Sequence, residues 1–141
     1  MTNKTGNGKI VHVALKAILS LIFILPILGA TGIFPKPTRE FYNTDAAFNF
    51  IQTLTQDASY IQYVMAITFF ASIVLLWTGR EAFAALLITP ITVNIVGFHL
   101  FLDGGLLMGG SIMANILLLL NIYFLWSNRK LYNTLLQKSA Q

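Results

Sequence analysis

The sequence predicts an all-α fold: a transmembrane four-helix bundle with a short amphipathic helix between spans 1 and 2. Three observations predict it. Of the 141 residues, 56% are hydrophobic, and the mean hydropathy is +0.72. Only 10% are charged, against roughly 25% in an average soluble domain. Apolar runs long enough to cross a bilayer core recur four times, at about residues 10–34, 60–78, 82–102 and 106–126. A chain this short is expected to form one domain, residues 1–141.

Residues 1–9 are polar and basic and read as a tail. The run Ile10–Phe34 follows. It is longer than the apolar part of a secretory leader, and three more spans come after it, so it reads as a retained span. Lys16 and His12 lie close enough to its start to reach the interface along their stems. Pro26 is expected to bend it. Pro35 and Pro37 are expected to end it.

Residues 35–59 form the long connection. Thr44 or Asp45 can cap a helix through about Thr55, whose apolar positions Ala47, Phe48, Ile51 and Leu54 recur at helical spacing. This segment, about residues 44–55, is expected to lie on the membrane or over the bundle mouth. The second span, 19 residues from Tyr60 to Thr78, rises roughly 28 Å. Gly79-Arg80-Glu81 and Asp103-Gly104-Gly105 read as tight turns, so span two lies beside three and three beside four. The tail from Ser127 is basic and expected to be partly helical at the interface.

Basic residues near the spans predict the orientation. With both termini cytoplasmic, the inner side holds Lys4, Lys9, Lys16, Arg80, Arg129, Lys130 and Lys138, and the outer side holds Lys36 and Arg39. Trp77 and Trp126 then fall at the inner interface, and Tyr60 and Tyr63 at the outer one. The expected location is the cell membrane, multi-pass. The net charge of +4 fits lipid headgroups rather than nucleic acid, because the positive charges flank apolar spans.

Small residues at four-residue spacing (Gly105 with Gly109, Gly110 with Ala114, Thr68 with Ser72) mark expected helix contacts. Polar groups inside the spans mark candidate sites. Asn94 and Asn115 are expected at similar depth on adjacent spans. They could bond to each other across the hairpin, or one could meet a ligand such as a quinone headgroup. Asn94→Leu is accordingly expected to cost about 1 kcal/mol. His99 and Asp103, four residues apart, can meet on one helix face. They form either an interfacial pair or a site that handles protons or binds a headgroup. Thr92 lies two turns before His99 on nearly the same face. Asn94 points about 140° away, so one of the two side chains should face span four and the other span one or two. Ligand or proton-handling candidates are therefore His99, Asp103, Thr92, Asn94 and Asn115.

The absence of cysteine excludes disulfides, thiolate-held clusters and a cysteine nucleophile. Two histidines on opposite sides make a metal site or bis-histidine haem unexpected. No nucleotide-binding, zinc-protease or serine-hydrolase motif is present. No catalytic residue and no resident cofactor is expected, so the chain is not read as an enzyme on its own.

The run WTGREAFAALLITPITVNIVGFHLFLD, residues 77–103, resembles the DoxX-like family of small four-span membrane proteins. The features that carry the resemblance are the Gly-Arg turn and the pattern Pro90, Ile91, Asn94, Ile95, Phe98, His99, Leu100, Phe101, Leu102. The match is specific there and looser elsewhere, with the same four-span layout. It implies a four-helix membrane bundle. The founding members resemble subunits of an archaeal quinone-linked thiosulfate-oxidising complex, and others are linked to oxidative-stress membrane complexes. Two departures stand beside the match. Residues 58–80 hold no acid where many relatives carry one, near Phe69, and the first span lacks the family's Ser-Gly-x-x-Lys-like ending. The resemblance implies an accessory subunit of a membrane redox complex, with redox-complex subunits as partners and a quinone contact between spans. A small transporter or permeability protein acting as a homo-oligomer, or a structural membrane scaffold, is the alternative.

Overall fold

The computed structural model describes residues 6–56 and 59–136; Lys4 and Lys138 lie outside these described residues. Its helices are α1 (Gly6–Ala30), α2 (Asp45–Gln56), α3 (Ser59–Trp77), α4 (Glu81–Phe101), α5 (Ile112–Ser127) and α6 (Arg129–Leu136). Four helical segments are long and apolar enough to cross a membrane: α1, α3, α4 and the stretch Gly109–Ser127 that contains α5. They mark a multi-pass membrane protein. Each long helix lies beside the next, in the order α1, α3, α4, α5, and α5 closes back on α1 through a slighter contact. One end of the bundle, the tail end, carries the start of α1, the α3–α4 turn and α6. The other, the connector end, carries the α1–α3 connection and the α4–α5 connection.

The helix boundaries follow local chemistry. α1 stops at Ala30, four residues before the expected end at Phe34. Thr31 and Gly32 close the helix by bonding back to Leu28 and Gly29, and Gly32 takes φ 77°. That left-handed turn ends the helix before Pro35 can. α3 ends where Gly79 takes φ 79° and the Arg80 N–H returns to the Leu75 carbonyl at 2.9 Å. The last span differs most from expectation. α5 begins at Ile112 rather than Leu106. Gly104 and Gly105 have positive φ, and Gly109–Ser111 is a single 3₁₀ turn. A glycine-rich run gains too little from helix formation to extend the span. Gly105 and Gly109 therefore lie in a connection, and their spacing is not a helix contact.

The core is drawn from all four spans. Leu19 and Phe23 of α1 meet Phe69 and Leu76 of α3, with the Phe23 and Phe69 rings stacked at 4.8 Å. Ala84, Ala85 and Ile88 of α4 meet Leu117, Leu120 and Phe124 of α5. Small residues on α4 let α5 approach, and close packing is what associates helices in lipid. One amide crosses this seam. Asn121 Nδ2 donates to the Ala85 carbonyl at 3.0 Å, and Thr89 Oγ1 lies 3.2 Å from Asn121 Oδ1. Ala85 sits in the turn before Pro90, which has no N–H for the Leu86 carbonyl.

Candidate functional site

Two polar clusters stand at opposite ends of the bundle. The tail-end cluster grows from α1, where His12 and Lys16 share a face at four-residue spacing. Glu81, in the first turn of α4, faces both. Its Oε2 lies 2.7 Å from His12 Nε2, and its Oε1 pairs with Lys16 Nζ. Tyr123 of α5 reaches His12 Nδ1 at 3.0 Å. Trp77 closes the side, donating from Nε1 to Ser20 Oγ at 3.0 Å, with Lys16 Nζ over its ring. Only 14% of the Lys16 side chain is exposed, and its stem runs to Glu81 at the tail end of the bundle. The attraction of the Glu81 carboxylate offsets part of the cost of taking the Lys16 ammonium out of water. Every polar group of this cluster is bonded, so it reads as a clamp that ties α1, α3, α4 and α5 together.

The connector-end cluster contains the His99–Asp103 pair. His99 Nδ1 lies 3.0 Å from Asp103 Oδ2. Asp103 is 2% exposed, and its second oxygen accepts the Asn43 N–H at 2.8 Å. Asn43 Nδ2 donates to the Asp103 carbonyl at 3.0 Å, and Thr44 Oγ1 donates to the Leu102 carbonyl. Thr44 also caps α2, accepting the Ala47 N–H at 3.0 Å. The carboxylate thus holds a histidine ring on one side and the start of α2 on the other. Tyr42, beside Asn43, has its hydroxyl pKa raised by burial and by the nearby Asp103 charge. Gly110 belongs to the same site. A Cβ there would meet Asp103 Oδ2 at 3.5 Å and the His99 ring at 3.9 Å.

The fixed ring faces a cleft of about 220 Å³. Leu25 and Pro26 come from α1, Phe69 from α3, Ile95 from α4, and Met113 and Leu117 from α5. Leu25, Pro26 and Met113 are exposed, so the cleft opens at the slight α1–α5 seam. With Nδ1–H donating to Asp103, a neutral ring carries its lone pair on Nε2. That nitrogen has no hydrogen-bond partner among the described residues.

The remaining candidates do not join this site. Thr92 is buried and donates to the Ile88 carbonyl at 3.0 Å. Asn94 and Asn115 do not bond to each other. Asn94 Nδ2 donates to the Pro90 carbonyl at 2.8 Å, and Asn115 Nδ2 to the Leu106 carbonyl at 2.7 Å. Their depth is compatible with pairing, but their faces are not. Asn94 follows buried Thr92 by two residues, about 200° around the helix, and points out of the bundle rather than toward span one, two or four. Asn115 turns back to the connection, where Ser111 Oγ also donates to Leu106. The interhelical amide bond belongs instead to Asn121. Sequence reasoning placed His12, Lys16 and Glu81 on one side without joining them. The available signal was an acid beside two bases at four-residue spacing. Among the described residues, no cluster of three or more histidine and acidic side chains could hold a metal ion.

No family model, curated protein or solved structure matches the chain.

Proposed function

We propose that the chain is an accessory subunit of a membrane redox complex that contacts a quinone in the α1–α5 cleft. His99 is the proton-handling group. The observation that carries this reading is the His99 ring, fixed at one nitrogen by a buried carboxylate and lining an apolar cleft. A cavity of about 150 Å³ suffices for benzene, so 220 Å³ suits a substituted ring. The apolar walls suit the ring and the first part of its tail.

Oxidation of a quinol to a quinone releases two electrons and two hydroxyl protons, so a bound headgroup would need proton acceptors, of which His99 would supply one and water at the connector end the other. Nε2 of a neutral His99 accepts a proton there, and the Asp103 carboxylate stabilises the resulting imidazolium. The electrons pass to a redox subunit of the same complex, since this chain has no cysteine for a thiolate-held cluster. The resemblance of residues 77–103 to the DoxX-like family supports the assignment. The transporter alternative draws less support. The polar side chains that would line its path, Thr92, Asn94, Asn115 and Asn121, are already bonded to backbone carbonyls.

The proposed orientation puts both termini in the cytoplasm of a cell membrane. Lys9, Lys16, Arg80, Arg129 and Lys130 lie at or near the tail end, against Lys36 and Arg39 at the connector end.

The test is binding of a short-chain ubiquinone analogue to the detergent-purified chain, read as a rise in unfolding temperature. His99→Gln keeps a polar side chain but cannot hold the proton. It is expected to abolish the rise while leaving the unliganded unfolding temperature unchanged. An equal rise in the variant, or none in the wild type together with no quinone in its lipid extract, overturns the reading.

A further inference from the structure

The outward face of α4 carries features that lipid alone does not explain. Phe83, Leu86, Pro90, Val93, Gly97 and Leu100 recur at alternating spacings of three and four, the period of a helix–helix seam. Apart from half-buried Gly97, all are exposed, Val93 at 60%. Phenylalanine, leucine and valine are ordinary against acyl chains. Asn94, Gly97 and the proline turn are not.

Asn94 is exposed in the second half of a 21-residue apolar helix. Its Nδ2 is bonded to the Pro90 carbonyl, but its Oδ1 has no donor among the described residues. An amide acceptor facing hydrocarbon is costly, and membrane helices satisfy it across an interface. Gly97 has the complementary property. Beyond its own helical neighbours, no described residue lies within 4 Å of where its Cβ would stand, so no contact with another element among the described residues requires a glycine there. A mid-helix glycine weakens the helix unless something approaches closely. The Leu86 carbonyl, without its usual donor because Pro90 has no N–H, lies about two turns before Asn94 along the same stripe.

We propose that this face pairs with the α4 face of a second copy of the chain, around a two-fold axis near Asn94 and Gly97. An asparagine carries both donors and an acceptor. Two of them related by a two-fold axis can satisfy each other, with the missing Gly97 side chains letting the backbones approach. A symmetric pair needs no further partner, because the same patch serves both subunits. His99 lies about 140° around α4 from Asn94, so pairing leaves the α1–α5 cleft open. The dimer therefore does not depend on the quinone reading.

The absence of cysteine makes the test direct. Val93→Cys, in native membranes treated with copper phenanthroline and air, is expected to give a disulfide-linked band at twice the chain mass. Leu119→Cys, equally exposed on α5 at 66%, is the control and should stay monomeric. Adding Asn94→Ala to Val93→Cys is expected to weaken self-association about three- to tenfold, the size of interhelical amide bonds measured in membranes. Among the described residues Asn94 bonds only within its own helix, so the unfolding temperature of the detergent-dispersed monomer should stay unchanged while the dimer is lost. The proposal is overturned if Val93→Cys links no more than Leu119→Cys, if it links to a protein of another mass, or if Asn94→Ala leaves the linked fraction unchanged.

Discussion

Asp103→Ala is expected to release the start of α2 while leaving the four long helices assembled. The carboxylate is almost fully buried and accepts two bonds from separate elements, His99 Nδ1 and the Asn43 N–H. Its removal leaves two donors without partners. A buried orphaned donor costs about 1–3 kcal/mol, so the expected cost is about 3 kcal/mol. It should fall locally, because α2 has few other anchors. The helix has 12 residues, too few to hold its shape alone in water. Besides the latch, buried Ala47 and the Phe50–Phe98 and Tyr42–Phe98 ring contacts keep it down. The reporter is the Asn43 amide itself. Its hydrogen exchange should quicken about 100-fold, the factor that ~3 kcal/mol of local opening implies. Amides in the middle of α4 and α5 should keep their rates. Hydrogen exchange by mass spectrometry over residues 38–56 reads this directly. Unchanged exchange at Asn43 would refute the argument that Asp103 is the latch. Loss of protection throughout the bundle would refute its locality.

Tyr42 gives a pH signature. Its folded pKa is raised, first by burial and then by Asp103, so the folded state holds its proton more tightly than the unfolded one. The contribution to stability is present below the unfolded value of about 10 and lost as pH rises through the folded value. Tyr42→Phe should flatten that alkaline loss, and tyrosinate absorbance should lose its late-titrating component. Glu81→Ala is expected to cost about 3–5 kcal/mol, because it leaves Lys16 in place without its acid. Thermal unfolding in detergent checks it, and Lys16→Met in the same chain should restore part of the loss. Asn121→Leu should cost about 1 kcal/mol through its bond to Ala85. Asn94→Leu, measured on the monomer, should cost less than about 0.5 kcal/mol, since only a bond within its own helix is lost.

The fold was readable because its signals are local and repetitive. A run of apolar residues long enough for the bilayer needs no tertiary information to be recognised, and the amphipathic period of α2 is likewise visible in twelve residues. The His99–Asp103 pair was readable for the same reason, since four-residue spacing on one helix fixes proximity. What could not be read was the partner of each interhelical polar group. Asn94, Asn115 and Asn121 are three amides in two neighbouring helices, and depth alone leaves several pairings open. Helical phase decides between them, and the glycine-rich connection at 104–110 set the start of α5 in a way that helix spacing does not reveal. The latch from Asn43 and Thr44 was hidden more deeply still. It joins residues about sixty positions apart through a backbone N–H and a threonine hydroxyl, groups found in any connection.

The shared use of Asp103 decides how its chemistry should be probed. One carboxylate orients the His99 ring and holds the connector, so any change at Asp103 alters both. A loss of ligand binding in an Asp103 variant would follow equally from a misdirected ring or from an opened α2. The His99 side chain has no such second duty, because among the described residues its only hydrogen-bond partner is Asp103. Asn43→Ala makes the opposite change. It deletes the amide that donates to the Asp103 carbonyl but keeps the backbone N–H on the carboxylate, so it loosens α2 without disturbing the ring. If quinone binding fails in His99→Gln and survives in Asn43→Ala, the ring carries the function and α2 only covers the end of the bundle. If it fails in both, the docked connector is part of the binding site, and the latch becomes the means by which α2 controls entry to the cleft.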